Sequence, residues 1–141
     1  MPNLIVFALV SVDRYSGDYT KSVTKFTQHG LSTFELSLNS DLINGYPLEN
    51  IGTDSVQFYH RFLKNTRRLD NPFCPTQLTH AQFDNTNFLI VHNFDNGEEA
   101  EGQLTAKLKF ASTLSKKLML LYMPVFDKRL YFDNHFNVVK Q

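Results

Sequence analysis

The stretch Gln103-Leu104-Thr105-Ala106-Lys107-Leu108-Lys109-Phe110 decides the fold class of this 141-residue chain. Polar and apolar residues alternate along it, so that all the apolar side chains share one face of an extended strand. This period of two is typical of a strand with one face in a core and one in water. Residues 33–39 repeat the pattern, with Phe34, Leu36 and Leu38 on the apolar face. Both stretches therefore predict half-buried β-strands.

Three further runs are more continuously apolar, at residues 4–12, 87–94 and 117–126. Such runs are typical of strands covered on both faces, so they indicate sheet centres or contact surfaces. Pro124 lacks a backbone N–H, which predicts that the third run ends, bulges or lies at a sheet edge there. Polar stretches such as residues 65–84 are interpreted as breaks between strands.

A helical period distinguishes residues 54–67. Asp54 and Gln57 resemble an N-terminal capping pair, and apolar side chains then recur at helical spacing. Residues 128–132 and 136–139 supply a last strand around a polar break. Short strands with one short α-helix in a connection predict an all-β fold. The expected architecture is a β-sandwich of two antiparallel sheets, in a single domain over all 141 residues.

The charge balance argues against nucleic acid as a partner, and the length of an apolar run argues against a membrane. Lys plus Arg and Asp plus Glu both number 14, and no run of like charge forms a stripe that would follow phosphates. The apolar run at residues 4–10 is too short to span a bilayer. Cys74 is the single cysteine, so no internal disulfide forms, and we expect folding in a reducing cell interior.

Motifs for catalysis or metal binding are missing from the sequence, so we expect neither an enzyme nor a cofactor. A cupin-like metal site takes a His-x-His pair from one strand, and no such pair occurs. Gly-x-Ser-x-Gly and Gly-rich phosphate loops are absent as well. The histidines, interpreted as scattered hydrogen-bonding residues, are His29, His60, His80, His92 and His135.

Two other candidates have a structural interpretation. Cys74 has no basic residue within five positions to lower its pKa, which favours structural burial in a loop. Arg61, Arg67 and Arg68 stand beside aromatic residues and are able to bind an acidic partner or a nucleic acid packaged nearby, but a solvated helix face explains them better.

Several stretches together resemble one family. They are Pro2-Asn3-Leu4-Ile5-Val6-Phe7 with Gly17, Phe34-Glu35-Leu36-Ser37-Leu38, Tyr46-Pro47-Leu48-Glu49, Phe58-Tyr59-His60-Arg61-Phe62, Gly102-Gln103-Leu104-Thr105-Ala106-Lys107-Leu108-Lys109-Phe110, 118–122 and 128–137. Over residues 2–140 the chain resembles the C-terminal jelly roll of the major-capsid-like proteins of Maverick/Polinton elements and adintovirus-type viruses of animals. The resemblance implies a jelly-roll sandwich with a structural role in a virion, no cofactor and no catalytic residue.

The chain departs from that family in two places. The family's longer polypeptide carries another jelly roll ahead of this one, whereas here Met1 directly precedes the matching Pro2. We therefore expect a fragment, a separately encoded half or a truncated host-resident copy. Lys21-Ser22-Val23-Thr24-Lys25 also stands where the family has an Asn-Pro-Phe-like entry to the next strand.

Our first hypothesis is a capsid-type assembly protein that packs on other jelly-roll chains, either copies of itself or a separate half. It implies an oligomer in a virion or virus-like particle. Because an aromatic-dense stretch near a chain end suits such contacts, we selected four candidate contact residues, although ordinary core filling explains them equally well. They are Phe126, Tyr131, Phe132 and Phe136.

Two other functions are compatible with the sequence. A lectin-like ligand-binding sandwich would stack sugars on the loop aromatics Tyr15, Tyr19 and Tyr46. A metal-dependent cupin-like enzyme is the third hypothesis, and it is the one that the histidine spacing supports least.

Overall fold

Strands make up most of the regular structure in a computed structural model of the chain. The structure describes residues 2–17, 20–22, 24–43, 47–49, 51, 55–66, 78–94 and 102–126, and the backbone of 131–132 and 138–139. The elements in chain order are β1 (Leu4–Ser11), α1 (Val12–Tyr15), β2 (Leu31–Leu38), β3 (Asp41–Leu42), α2 (Ser55–Asn65), α3 (His80–Thr86), β4 (Ile90–Asn93), β5 (Leu104–Phe110), β6 (Leu118–Val125), β7 (Tyr131–Phe132) and β8 (Val138–Val139).

Two antiparallel three-stranded sheets pack against each other. The first has the strand order β4-β1-β6 and the second the order β3-β2-β5, while β7 pairs only with β8 among the described strands. The central strands β1 and β2 meet through Phe7 and Phe34, whose ring centroids lie 5.2 Å apart. The predicted all-β sandwich of two antiparallel sheets is therefore confirmed.

The pairing of the four long strands is nested along the chain. β1 pairs with β6 over its full length, and β2 pairs with β5, so the outer pair of strands encloses the inner pair in sequence. Each step from β1 to β2, and from β5 to β6, also moves the chain from one sheet to the other. A long antiparallel ribbon folded over into two layers has this pattern.

The burial of β5 and β1 follows the periods seen in the sequence. In β5 the apolar side chains are partly buried, while Lys107 and Lys109 are exposed, and Lys107 donates to Glu35 on the neighbouring strand at 2.8 Å. In β1, Phe7 and Ala8 point to opposite faces and both are buried. The interpretation of residues 4–12 as a strand covered on both faces is confirmed for β1, although Val12 begins α1 and does not belong to the strand.

The single-helix prediction was wrong, although the helix it placed at 54–67 is present as α2. The structure adds the one-turn helix α1 and the helix α3, which begins inside the stretch interpreted as a break at residues 65–84 and ends two residues after it. A capping box begins α3, because Thr79 accepts from the backbone of Gln82 while the Gln82 side chain accepts from the backbone of Thr79. This Thr-x-x-Gln pattern is a helix signal that the sequence reasoning missed.

Aromatic side chains pack the helices α2 and α3 against the sandwich. Phe83 of α3 is fully buried and contacts the rings of Tyr59, Phe62 and Phe88 at centroid distances of 5.3–5.5 Å. The strand predicted at residues 87–94 is shorter than expected, because β4 begins at Ile90 and ends at Asn93. The helix α3 precedes it and ends at Thr86. Within the described parts of the chain, no helix is long and apolar enough to cross a bilayer.

Candidate functional site

Exposed apolar side chains concentrate on β6, an edge strand of the first sheet. Tyr122 is 69 % exposed, Met123 59 % and Phe126 54 %, and Val125 is exposed beside them. We call these four residues the β6 surface. The other large apolar residues that are exposed in the described part of the chain, Tyr15, Val56 and Leu114, stand singly in sequence. A group of apolar residues on a sheet edge is typical of a surface that another chain covers.

Among the strands that the structure describes, β6 pairs on one side only, with β1. The Lys117 carbonyl accepts from the N–H of Val12 at 3.0 Å, and the Val125 carbonyl accepts from the N–H of Asn3 at 2.9 Å. Odd-numbered residues of β6 therefore direct their backbone groups at β1, because these groups alternate along a strand. The residues that direct theirs away from β1 are Leu118, Leu120, Tyr122 and Pro124.

Pro124 lies at an edge position where its missing N–H removes no hydrogen bond to β1. The sequence offered three outcomes for this proline, and the edge position is the one observed. The alternative that residues 117–126 form a sheet centre is wrong, since the second half of β6 is exposed. The other interpretation, a contact surface, stays a prediction.

Both faces of β6 expose apolar groups. Tyr122 lies opposite Phe7, on the face of the sheet that is turned to the core. Met123 lies opposite Val6, and Val125 lies opposite Leu4, on the other face. A strand or sheet that docks on this edge would therefore remove apolar area from water on both sides of the sheet.

The structure places the predicted contact residues differently. Phe126 belongs to the β6 surface. Tyr131 and Phe132 form β7, whose backbone pairs with Val139 and Val138 of β8. Phe136 lies outside the described residues. The sequence reasoning missed Tyr122 and Met123, although both stand in the apolar run that it had singled out as a possible contact surface.

The opposite edge of the same sheet, β4, is covered by α2. The Asn65 side chain at the end of α2 donates from Nδ2 to the backbone carbonyl of Val91 at 2.6 Å. Phe58 and Phe62 are the buried residues of α2, and Phe58 contacts the ring of Phe88 just ahead of β4. A helix and an amide cap therefore occupy this edge.

A pocket of about 350 Å³ lies between α2, β4 and the part of the second sheet where Leu48 bridges to Phe34. Its floor is apolar and includes Leu36 and Ile90 as well as these two residues. The two backbone hydrogen bonds between Phe34 and Leu48, at 2.8 and 2.9 Å, extend the second sheet below it.

The rim of this pocket is basic. His60, Arg61 and Lys64 reach it from α2, and His92 reaches it from β4. Burial lowers the pKa of His92, and the positive charge of Arg61 lowers it further. The His92 ring packs edge-on against Phe94 with centroids 4.5 Å apart. A solvated helix face was the favoured interpretation of Arg61 from the sequence, and the structure shows that this residue also lines the pocket.

A serine, a histidine and an aspartate meet where α2 begins. Ser55 Oγ donates to Asp84 Oδ2 at 2.7 Å and lies 2.9 Å from His80 Nε2, which is itself 3.3 Å from the same Asp84 oxygen. In a hydrolytic triad the imidazole stands between the hydroxyl and the carboxylate. Here the hydroxyl contacts the carboxylate directly, so the cluster connects α2 to α3 and lacks the geometry for activating Ser55.

The remaining candidates do not assemble into a site in the part that the structure describes. His29 is partly buried, its pKa is lowered by burial, and its Nε2 has no hydrogen-bond partner among these residues. No three potential metal ligands come together there. Tyr15 is exposed. Six further candidates lie outside the described residues, namely Tyr19, Tyr46, Arg67, Arg68, Cys74 and His135.

The described residues form a two-sheet antiparallel β-sandwich, in whose first sheet α2 covers the β4 edge and apolar side chains are exposed at the β6 edge. Comparison of the chain with protein-family models, curated proteins and solved structures found no match.

Proposed function

We propose that this protein is a capsid-type structural protein, which packs its sandwich against other jelly-roll chains to form a capsomer or shell. The β6 surface carries the proposal, because its apolar side chains are exposed on a strand that has a partner on only one side among the described strands. Monomeric proteins usually protect such an edge with charge, a bulge or a covering element. An edge left apolar is suited to burial between chains.

The strand pairing supports the jelly-roll part of the proposal. Jelly rolls fold antiparallel strands into two facing sheets through connections that pass between the sheets. The nested pairs β1 with β6 and β2 with β5 are connected in this way. The chain passes from the first sheet to the second between β1 and β2, and returns to the first between β5 and β6. The family resemblance of the sequence points to the same architecture.

The charge distribution supports copies of the chain as partners. The formal net charge is zero, so electrostatic repulsion between copies is weak. The β6 surface itself carries no charged side chain. Stable interfaces bury about 1,200–2,000 Å² in total and concentrate aromatic residues at their centre. Tyr122 and Phe126 would supply those central aromatics.

Light scattering on a sizing column, over a series of protein concentrations, tests the proposal. We expect the wild-type chain to form trimers or larger assemblies in addition to the 16.3 kDa monomer. Met123→Lys places a charge in the β6 surface and should shift the population to the monomer at every concentration. Val56→Lys is the matched control, because Val56 is 58 % exposed on α2, away from the β6 surface.

Two outcomes would count against the proposal. A wild-type chain that stays monomeric at every concentration would contradict self-assembly. Equal dissociation by Met123→Lys and Val56→Lys would show that the assembly does not depend on β6. Circular dichroism of both variants, compared with the wild type, checks that neither substitution unfolds the sandwich.

A further inference from the structure

We propose that His29 makes the turn at residues 28–31 a pH-sensitive switch, which is closed at neutral pH and opens when the His29 ring gains a proton. The turn joins the segment beside α3 to the first residue of β2, at one end of the sandwich. Its opening would expose this end of the second sheet while the rest of the sandwich stays folded. The β6 surface takes no part in it, so the inference is independent of the proposed assembly role.

The backbone of this turn is strained at His29. The N–H of Leu31 donates to the carbonyl of Gln28 at 3.0 Å, and the two residues between them have positive φ angles, 52° at His29 and 72° at Gly30. Two successive positive φ angles are the feature of a type I′ turn. Glycine adopts this conformation readily, whereas a residue with a Cβ atom is strained in it. The closed turn therefore depends on the surroundings that hold the His29 side chain in place.

One nitrogen of the His29 ring is buried without a partner. Its Nε2 has no hydrogen-bond partner in the described part of the chain. In the neutral ring this nitrogen carries no hydrogen when the proton resides on Nδ1. The imidazolium has an N–H at both nitrogens, so protonation turns Nε2 into a buried donor that lacks an acceptor. Opening the turn would bring that N–H into contact with water.

The surroundings of His29 favour its neutral form. Burial lowers the pKa of His29, and the positive charges of Arg14 on α1 and of Lys116 before β6 lower it further. The carboxylate of Asp13 acts in the opposite direction, but it is paired with Lys21. Burial is the largest of these causes, so the direction of the shift does not depend on any one charge.

A second histidine is connected to the turn from the side of α3. The Gln28 amide donates to Asp84 Oδ1 at 3.3 Å, and His80 contacts the other oxygen of the same carboxylate. A change at low pH in this part of the molecule therefore has two candidate sources. The experiment has to separate His80 from His29.

The hydrogen bonds that close the turn are few and end at an irregularity of the sheet. Besides the bond inside the turn, the N–H of Ala111 donates to the carbonyl of Gly30 at 2.9 Å. The register of β2 and β5 shifts between Leu31 and Thr33, and regular pairing starts with Thr33 opposite Lys109. The turn is therefore able to separate from Ala111 without breaking the ladder beyond Thr33.

Amide hydrogen exchange of the full chain tests the switch, when it is followed by NMR at pH 7.5 and pH 5.0 and corrected for the intrinsic exchange rate. We expect the protection factors of the Leu31 and Ala111 amides to fall at least about threefold as the pH drops below about 6.5, the ordinary pKa of histidine. The fall should level off below the lowered pKa of the closed turn, because His29 is then protonated in both states. The Phe34 amide, which donates to Leu48 in the same sheet, should lose less protection.

Two variants identify the histidine that is responsible. His29→Asn should remove most of the fall, since asparagine tolerates a positive φ and does not titrate in this range. His80→Gln is the control and should keep the fall, although it removes the titratable group beside Asp84. If His29→Asn does not fold, His29→Gly supplies a residue that adopts the positive φ freely.

Four results would each overturn the proposal. They are unchanged protection of Leu31 and Ala111 between the two pH values, an equal fall in the wild type and in His29→Asn, loss of the fall in His80→Gln, and an equal loss of protection at Phe34. The last result would mean that the whole sandwich opens. These protection factors report on one end of each chain, so failure of this inference is distinguishable from failure of the assembly proposal, which the column experiment measures.

Discussion

The strands β4 and β6 flank the same central strand β1, but α2 covers β4 whereas apolar side chains are exposed on β6. On β4, the Asn65 amide caps the Val91 carbonyl, α2 lies alongside, and the rim carries basic groups. On β6, four apolar side chains are exposed. Edges of both kinds occur in β-proteins, but a protein seldom leaves a long apolar edge open without a use for it. The two sides of one sheet therefore differ in what they expose to a partner.

The covered edge is part of the folded core, whereas the open edge adds little to the stability of an isolated chain. Phe83 of α3 is fully buried against α2, the helix that covers β4, but Tyr122 is mostly exposed on β6. Truncating an aromatic side chain on each side should therefore give very different costs in the free energy of unfolding. The predictions that follow use this contrast, in order of decreasing effect.

Phe83→Ala should lower the free energy of unfolding by about 3–5 kcal/mol, because it removes a buried ring and leaves a cavity between α2, α3 and Phe88. Tyr122→Ala should change it by less than about 1 kcal/mol. Urea unfolding followed by circular dichroism measures both. If Phe83→Ala does not fold, Phe83→Leu supplies the comparison at a smaller cost. Similar costs for Phe83 and Tyr122 would show that β6 is covered in the isolated chain.

Asn65→Ala should lower the free energy of unfolding by about 1–2 kcal/mol, since the Val91 carbonyl loses its donor at a partly buried edge. Asn85→Ala is the matched control. The Asn85 amide donates to the carbonyl of Ala81 on the exposed surface of α3, so its loss should cost less than about 0.5 kcal/mol. Equal effects in urea unfolding would mean that the amide cap does not secure the β4 edge.

The strands were predictable from the sequence because their side-chain period directly reflects burial. The alternation in β5 and the continuous apolar run in β1 both correspond to the observed faces. The exposure of β6 was not predictable in the same way. The same apolar sequence pattern occurs in a central strand and in an edge strand that docks on another chain. Only the order of the strands in the sheet distinguishes these two cases.

The pocket escaped prediction for a related reason. Arg61 and His92 are 31 positions apart in sequence, and only the packing of α2 along β4 brings them to one rim. No local sequence pattern indicates that these two residues lie close together in the fold. The helix α3 was different, since its Thr79-x-x-Gln82 capping box was visible in the sequence but stood inside a polar stretch.

Pro124→Val should strengthen self-association about threefold to tenfold. The substitution gives the open edge a new outward N–H, and one added hydrogen bond contributes about 0.5–1.5 kcal/mol. Met119→Val is the control, because the backbone groups of Met119 already face β1. Sedimentation equilibrium measures the association constants. Unchanged association in Pro124→Val would show that partners dock on the side chains of β6 without pairing with its backbone.

The pH dependence of stability should report on the covered edge. The pKa of His92 is lowered in the folded state by burial and by Arg61, with His60 and Lys64 also at the pocket rim. Below the unfolded-state pKa of about 6.5, the unfolded chain binds a proton that the folded chain still excludes, so stability falls as the pH drops. Urea unfolding at pH 7.5 and at pH 5.5 should show this loss.

His92→Gln should reduce the difference in stability between the two pH values, because glutamine does not titrate there. His60→Gln replaces an exposed histidine on the same rim and should leave a larger share of the difference in place. His29, whose pKa is also lowered by burial, accounts for part of what remains in both variants. A difference that His92→Gln leaves unchanged would mean that α2 does not bury His92 in solution, and the contrast between a covered β4 and an open β6 would then lose its electrostatic support.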